Sequence, residues 1–269
     1  MSRGQLVFVG LGLYDENDIS IKGLQEIQTC DVVYAEFYTS KLVGATHQNL
    51  EKKFGKQIIV LSRGETENAE KILTHAKNEH VVFLVAGDPM MATTHVDLRL
   101  RAMKMGIPTR IIHNSSIVTA APGLLGLQNY KFGRTTTLAY PEKNYFPTSP
   151  YEIIKENKQM GLHTLVLLDI VDDKKRYMTA TEGIELLLRM EKEIGGHVFS
   201  DESIVCVIAR AGSPDPLMVA DTVSRLRKKD FGLPLHTIII PGKLHFMEIE
   251  ALELCADLPP EVGKKIQKL

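Results

Sequence analysis

Short apolar runs that stop at a small or polar residue recur along this chain. Val81 to Val85 run into Ala86-Gly87-Asp88-Pro89, and five others end at Gly10, Glu36, His113, Asp169 and Arg210. Runs rich in Val, Ile and Leu, separated by helix-like stretches, read as parallel strands buried on both faces. In the first half they predict strands at Leu6–Val9, Val32–Ala35, Ile58–Leu61, Val81–Val85 and Thr109–Ile112. Between the first two, Ile21, Leu24 and Ile27 recur three apart, which predicts a helix with Asp18 as its N-cap. Further helices are expected at Ala69–Lys77 and Val96–Met105, the latter closed by Gly106 and Pro108.

The stretch Asn114 to Gly123 is small and poor in charge, and its place after a strand predicts a helix start capped by Ser115 or Ser116. A domain junction is expected there, giving domains 1–113 and 114–269. The second half predicts strands near Thr136–Ala139, Leu165–Ile170, Ile204–Ala209, Leu217–Val219 and His236–Ile240. Helices are predicted over Tyr151–Gln159, Thr181–Glu193, Thr222–Lys229 and Leu244–Cys255. The fold class is α/β, with two successive domains and mostly parallel sheets. Ligands of such sheets sit beyond the carboxyl ends of the strands, where the polar residues fall.

Composition narrows the partners. The 269 residues are 44% hydrophobic and 24% charged, ordinary for a globular protein, and 32 basic against 33 acidic residues leave a net charge of −1. That balance lacks the basic excess of a general nucleic-acid binder. The basic groups Lys174-Lys175-Arg176 and Arg225 to Lys229 read as solvated helix ends and loops. No apolar run reaches the roughly 18 residues of a membrane helix. The first residues, Met1 to Gln5, lead into a strand without an apolar targeting run, and a cytoplasmic protein is expected. Cys30, Cys206 and Cys255 form no CxxC pair and read as free thiols of a reducing compartment. The scattered histidines form no metal-binding pattern.

Gly10-Leu11-Gly12 follows the first strand, as a GxG does where backbone approaches a ligand. The third glycine of a dinucleotide fingerprint would fall at Asp15, and an anion there opposes a bound diphosphate. The acidic stretch Asp15-Glu16-Asn17-Asp18 suits a ligand with a positive centre. Gly87-Asp88-Pro89 ends the fourth strand, where Asp88 is placed to accept from ribose hydroxyls or an ammonium and Met91 to line an apolar wall. His113 and His236 read as structural groups at strand ends. No nucleophile elbow or paired catalytic carboxylate stands out. The residues by themselves reach a nucleotide-like ligand at the strand ends.

These segments also resemble a known family. Gly10-Leu11-Gly12-Leu13 with Asp15 and Asp18-Ile19, Ala35 to Ser40, and Gly87-Asp88-Pro89 with Ala92-Thr93-Thr94-His95 are similar to the diphthine synthases, within the tetrapyrrole-methylase-like superfamily. So are His113-Asn114 with Ser116-Ile117, Tyr130 to Gly133, Phe146 to Ser149, Gly161 to Leu165, Ala209 to Gly212 and Pro241 to His245. The resemblance implies an S-adenosylmethionine-dependent methyltransferase of two α/β domains, the cofactor in the cleft between them, acting as a homodimer. It implies methylation of the amino group of 2-(3-amino-3-carboxypropyl)histidine on translation elongation factor 2, giving diphthine in diphthamide biosynthesis. Carried to matching positions, it implies cofactor contacts from Leu13, Asp88, Met91, Ser116, Ile117, Leu168, Ala209 and His236. It marks no catalytic residue. A tetrapyrrole or other small-molecule methyltransferase of the same fold, a nicotinamide oxidoreductase and a non-catalytic nucleotide-binding module are the competing readings. The loop Tyr140–Pro150 is a candidate docking or dimer surface.

Overall fold

The computed structural model describes residues 4–91, 93–142, 145–171 and 174–267, Thr93 by its backbone alone. Ala92, the first three residues of the leading segment, and residues 143 and 144 of the Tyr140–Pro150 loop therefore lie outside the described residues. The chain forms two compact units, 1–117 and 118–269.

In the first unit, strands β1 (Gln5–Gly10), β2 (Val32–Glu36), β3 (Ile59–Val60), β4 (His80–Val85) and β5 (Thr109–Ile112) alternate with helices α1 (Ile21–Thr29), α2 (His47–Phe54), α3 (Arg63–Asn68), α4 (Glu70–Ala76) and α5 (Thr93–Lys104). The strand order is β3-β2-β4-β1-β5 and every pairing is parallel. Successive residues of β1 enter opposite cores: Val7 and Val9 pack with Leu50 and Phe54, while Leu6 and Phe8 pack with Ile72 and Leu98. That two-sided burial is why the strands read as unbroken apolar runs. β3 is the exception, because it is an edge strand and leaves Ile59 and Val60 about half exposed.

The expected cap of α1 shifts by two residues. Ser20 is the N-cap and its Oγ accepts from Gly23 N at 3.1 Å. Asp18 is drawn instead into the loop before it, where its Oδ2 accepts from Leu13 N, Tyr14 N and Asp15 N at 3.2, 2.6 and 3.3 Å.

Helix α6 (Ile117–Leu125) starts directly after Ser116. The second unit then adds β6 (Thr136–Leu138), α7 (Ser149–Gln159), β7 (Thr164–Leu168), β8 (Ile170–Val171), β9 (Arg176–Tyr177) and α8 (Ala180–Ile194). It closes with β10 (Ile204–Ala209), β11 (Leu217–Thr222), α9 (Val223–Leu226), β12 (His236–Ile240), α10 (Phe246–Cys255) and α11 (Pro260–Gln267). Its main sheet runs β11-β10-β12-β7-β6, and here the expectation of mostly parallel strands is corrected. Only β6–β7 is parallel, while β10–β11, β10–β12 and β12–β7 are antiparallel. The connection from Ala209 to Leu217 is too short for a parallel crossover, which takes a dozen or more residues. A strand covered on both faces looks equally apolar in either direction. The helix expected over Thr222–Lys229 shrinks to α9, because Thr222 still belongs to β11.

Candidate functional site

β4, β1 and β5 are neighbours and parallel, so their carboxyl ends emerge side by side and the loops beyond them meet. Gly87 N donates to Gly12 O at 2.7 Å, and Asn114 Nδ2 donates to Gly10 O and Asp18 O, both at 3.0 Å. Gly12 has φ +86°, and a Cβ on it would stand 2.4 Å from Asp18 Cβ. A side chain at Gly10 would meet Gly87 O at 2.6 Å. The glycines are thus required by close loop contact at this rim.

Asp88 is the hub. Its Oδ1 accepts from Met90 N at 3.0 Å, and its Oδ2 from His113 Nδ1 at 2.7 Å and Asn114 N at 3.3 Å. Met91 sits in the same turn, its N–H on Asp88 O at 3.3 Å and its side chain 56% exposed. Among the described residues, and apart from its chain neighbours, Gly87, at φ +76°, has only Ser116 within 4 Å of where a Cβ would sit. Leu13, Asp88, Met91, Ser116 and Ile117 are therefore gathered by loops from one sheet end. The partners of Asp88 were invisible in sequence, since His113 and Asn114 lie about 25 residues away.

Beside this turn lies a buried pair. Glu36 and His95 are fully buried, with Oε1 and Nε2 3.1 Å apart. Glu36 Oε2 accepts from Tyr38 N and Thr39 N at 2.9 and 3.0 Å, and its Oε1 from the Thr39 hydroxyl. His95 Nδ1 donates to Pro89 O at 2.9 Å. The loop after β2 is thereby tied to the Gly87-Asp88-Pro89 turn.

In the second unit Leu168, Ala209 and His236 also come together. Ala209 pairs with His236, and Thr237 with Leu167, which places the three on adjacent strands at one end of the sheet. The imidazole of His236 is spent on structure: Nδ1 accepts from Ala180 N at 3.1 Å and Nε2 donates to Leu233 O at 3.0 Å. Burial pushes its pKa down, consistent with this neutral ring. Both of its ring nitrogens are thus engaged within the second unit. Its ring helps wall a cavity of about 320 Å³, shared with Thr179, Thr181, Lys228, Lys229 and Phe231 among others.

The geometry fits a donor without phosphate. The amides of Leu13, Tyr14 and Asp15 form the nest that a diphosphate would need, and the Asp18 carboxylate already fills it. Asp15, Asp18 and Asp88 make the rim acidic, which favours a cationic ligand.

Residues 5–227 match the model of the tetrapyrrole (corrin/porphyrin) methylases. Fold and site together define a methyltransferase of that class. The diphthine synthase of Methanosphaera stadtmanae is 50% identical over 259 residues, covering 96% of this chain and 98% of the relative. That of Methanothermobacter thermautotrophicus is 50% identical over 261 residues, covering 97% and 99%. A crystal structure of diphthine synthase superposes with a TM-score of 0.87 at 40% identity, covering 97% of this chain and 99% of that one. The chain belongs to the diphthine synthase family.

Proposed function

We propose that the protein transfers methyl groups from S-adenosylmethionine to the amino group of 2-(3-amino-3-carboxypropyl)histidine on translation elongation factor 2, the step that gives diphthine. It acts as a cytoplasmic homodimer. In the first unit the donor takes contacts from Leu13, Asp88, Met91, Ser116 and Ile117. The observation that carries this reading is the amide nest closed by Asp18, which leaves an acidic rim suited to a cation and no cradle for a diphosphate. A nicotinamide dinucleotide has no comparable place there. Among the described residues no helix is long and apolar enough to cross a membrane.

When bound, S-adenosylmethionine supplies a methyl group on a cationic sulfur, with a neutral thioether as leaving group. The residues then have three tasks: hold the donor, aim the acceptor nitrogen along the carbon–sulfur axis and keep water out. Alignment of this kind is worth up to about 7–11 kcal/mol of barrier. Asp88 anchors its own turn through Met90 N and Asn114 N, so Asp88 and Met91 are held in fixed positions. Ala209 and His236 are held likewise in a buried antiparallel pair, where the strands, rather than side-chain rotamers, set the geometry.

Isothermal titration tests the donor reading. S-adenosylmethionine is expected to bind and NADH not to. Asp88→Asn, which keeps the volume but faces one donor group with another, should raise the Kd about tenfold, the scale of one charge-assisted hydrogen bond. Binding of NADH in place of S-adenosylmethionine would overturn the reading.

A further inference from the structure

An amine attacks a methyl sulfonium only through its lone pair, so an ammonium acceptor must first lose a proton, and each further methylation repeats the requirement. The rim carries a group built for this. His113 stands at the carboxyl end of β5 with its side chain 66% exposed, and its Nδ1 lies 2.7 Å from Asp88 Oδ2. An ionised carboxylate only accepts, so in the neutral ring Nδ1 carries the hydrogen and the lone pair sits on Nε2. Asp88 itself is held by Met90 N and Asn114 N and is only 11% exposed, so the ring is oriented by a fixed partner. Among the described residues, Asp88 is the charged group in contact with the ring. A histidine at a strand end is ordinarily a satisfied structural group. This one instead has Nδ1 anchored on Asp88 while most of its side chain is exposed.

We propose that His113 is the general base of the methyl transfer, oriented by Asp88. Nε2 takes a proton from the acceptor ammonium, giving the free amine and an imidazolium whose charge the Asp88 carboxylate offsets. The nitrogen lone pair then forms the new carbon–nitrogen bond as the carbon–sulfur bond breaks, its electron pair leaving on sulfur. The methylated ammonium re-enters the cycle once His113 has passed its proton to solvent. The arrangement is a carboxylate–histidine pair of the kind that sets a tautomer and steadies an imidazolium.

This assignment rests on the donor and acceptor proposed above, and its test separates the two. S-adenosylhomocysteine formation is followed from pH 5.5 to 9.5 with the modified elongation factor 2, for the wild type, His113→Ala and His113→Gln. The side chain is exposed, so both variants are expected to fold, and circular dichroism checks that they do. Loss of a general base is expected to cut kcat about a hundredfold near pH 7, with KM for S-adenosylmethionine within about twofold of wild type. The deficit should shrink as the pH rises and the acceptor deprotonates unaided, and imidazole in the buffer should restore part of the rate of His113→Ala. His113→Ala turning over within about threefold of wild type across this range, or a loss carried wholly by KM, would overturn the proposal while leaving the donor reading intact. No turnover by the wild type would overturn the acceptor reading, and this inference with it.

Discussion

Replacing Glu248 by alanine should cost the second unit a large share of its stability. Glu248 is the third residue of α10 and fully buried. Its Oε1 accepts from Gln128 N and His163 Nε2, both at 2.9 Å, and its Oε2 from His245 N at 2.8 Å and from the Lys131 ammonium. His163 is oriented for this, because Gly242 N donates to its Nδ1 at 3.0 Å and burial keeps the ring neutral. Burial alone would raise the Glu248 pKa, but the His245 and Gln128 amides, Lys131 and His163 outweigh it and hold the carboxyl near 2. From the usual 4.5 to about 2, at about 1.4 kcal/mol per unit, the interactions favour the ionised form by roughly 3 kcal/mol. Breaking a buried charged pair from one side costs about 3–5 kcal/mol, which agrees. At about 2–4 °C per kcal/mol, Glu248→Ala should lower the Tm of the transition containing this unit by about 10 °C at pH 7. A carboxyl depressed in the folded state stabilises above its unfolded pKa and loses that contribution as pH falls through the folded value. The gap between wild type and variant, read by scanning calorimetry, should therefore be full above about pH 5 and narrow towards pH 2.5. A Tm within about 2 °C of wild type at pH 7, or a gap that does not change with pH, would refute the reasoning.

Gly12→Ala should cost more than twice as much unfolding free energy as Gly55→Ala in urea titrations. Both glycines have positive φ, worth about 1–2 kcal/mol to a Cβ, but only at Gly12 does the new Cβ meet Asp18, at 2.4 Å. Equal costs would show that the loop yields freely. In the native protein, iodoacetamide near pH 7.5 should label Cys255 first: it is exposed, whereas burial pushes the Cys30 thiol up to about 11 and also raises that of Cys206. Tryptic mapping that finds Cys206 labelled as fast as Cys255 would contradict this packing.

Much of the first unit was legible because its strands are buried on both faces and bounded by small or polar residues. Thr109–Ile112 matches β5 residue for residue, and the three glycines of the rim were visible as Gly10, Gly12 and Gly87. The second sheet was legible in position but not in direction. Ile204–Ala209 and His236–Ile240 match β10 and β12, yet their antiparallel pairing is a long-range property that an apolar run does not encode. Asp18 and Ser20 are both short polar residues before α1. What decides between them is whether the amides of Leu13 to Asp15 need an acceptor more than Gly23 does. The site was legible as a set of strand ends. What each side chain does there was not, because His113 and Asp88, or Glu36 and His95, meet only once the strands are ordered β2-β4-β1-β5. His236 shows the converse: a histidine suited by type to ligand contact has both ring nitrogens committed to its own scaffold.

The reaction proposed is methyl transfer to a modified histidine of a protein. Its most direct test is the intact mass of elongation factor 2 bearing the aminocarboxypropyl-histidine, after incubation with this protein and S-adenosylmethionine. The account predicts a gain in whole methyl units that disappears when that histidine is replaced. An unchanged mass, with S-adenosylmethionine shown by titration to bind, would contradict it and turn the search toward a small-molecule acceptor.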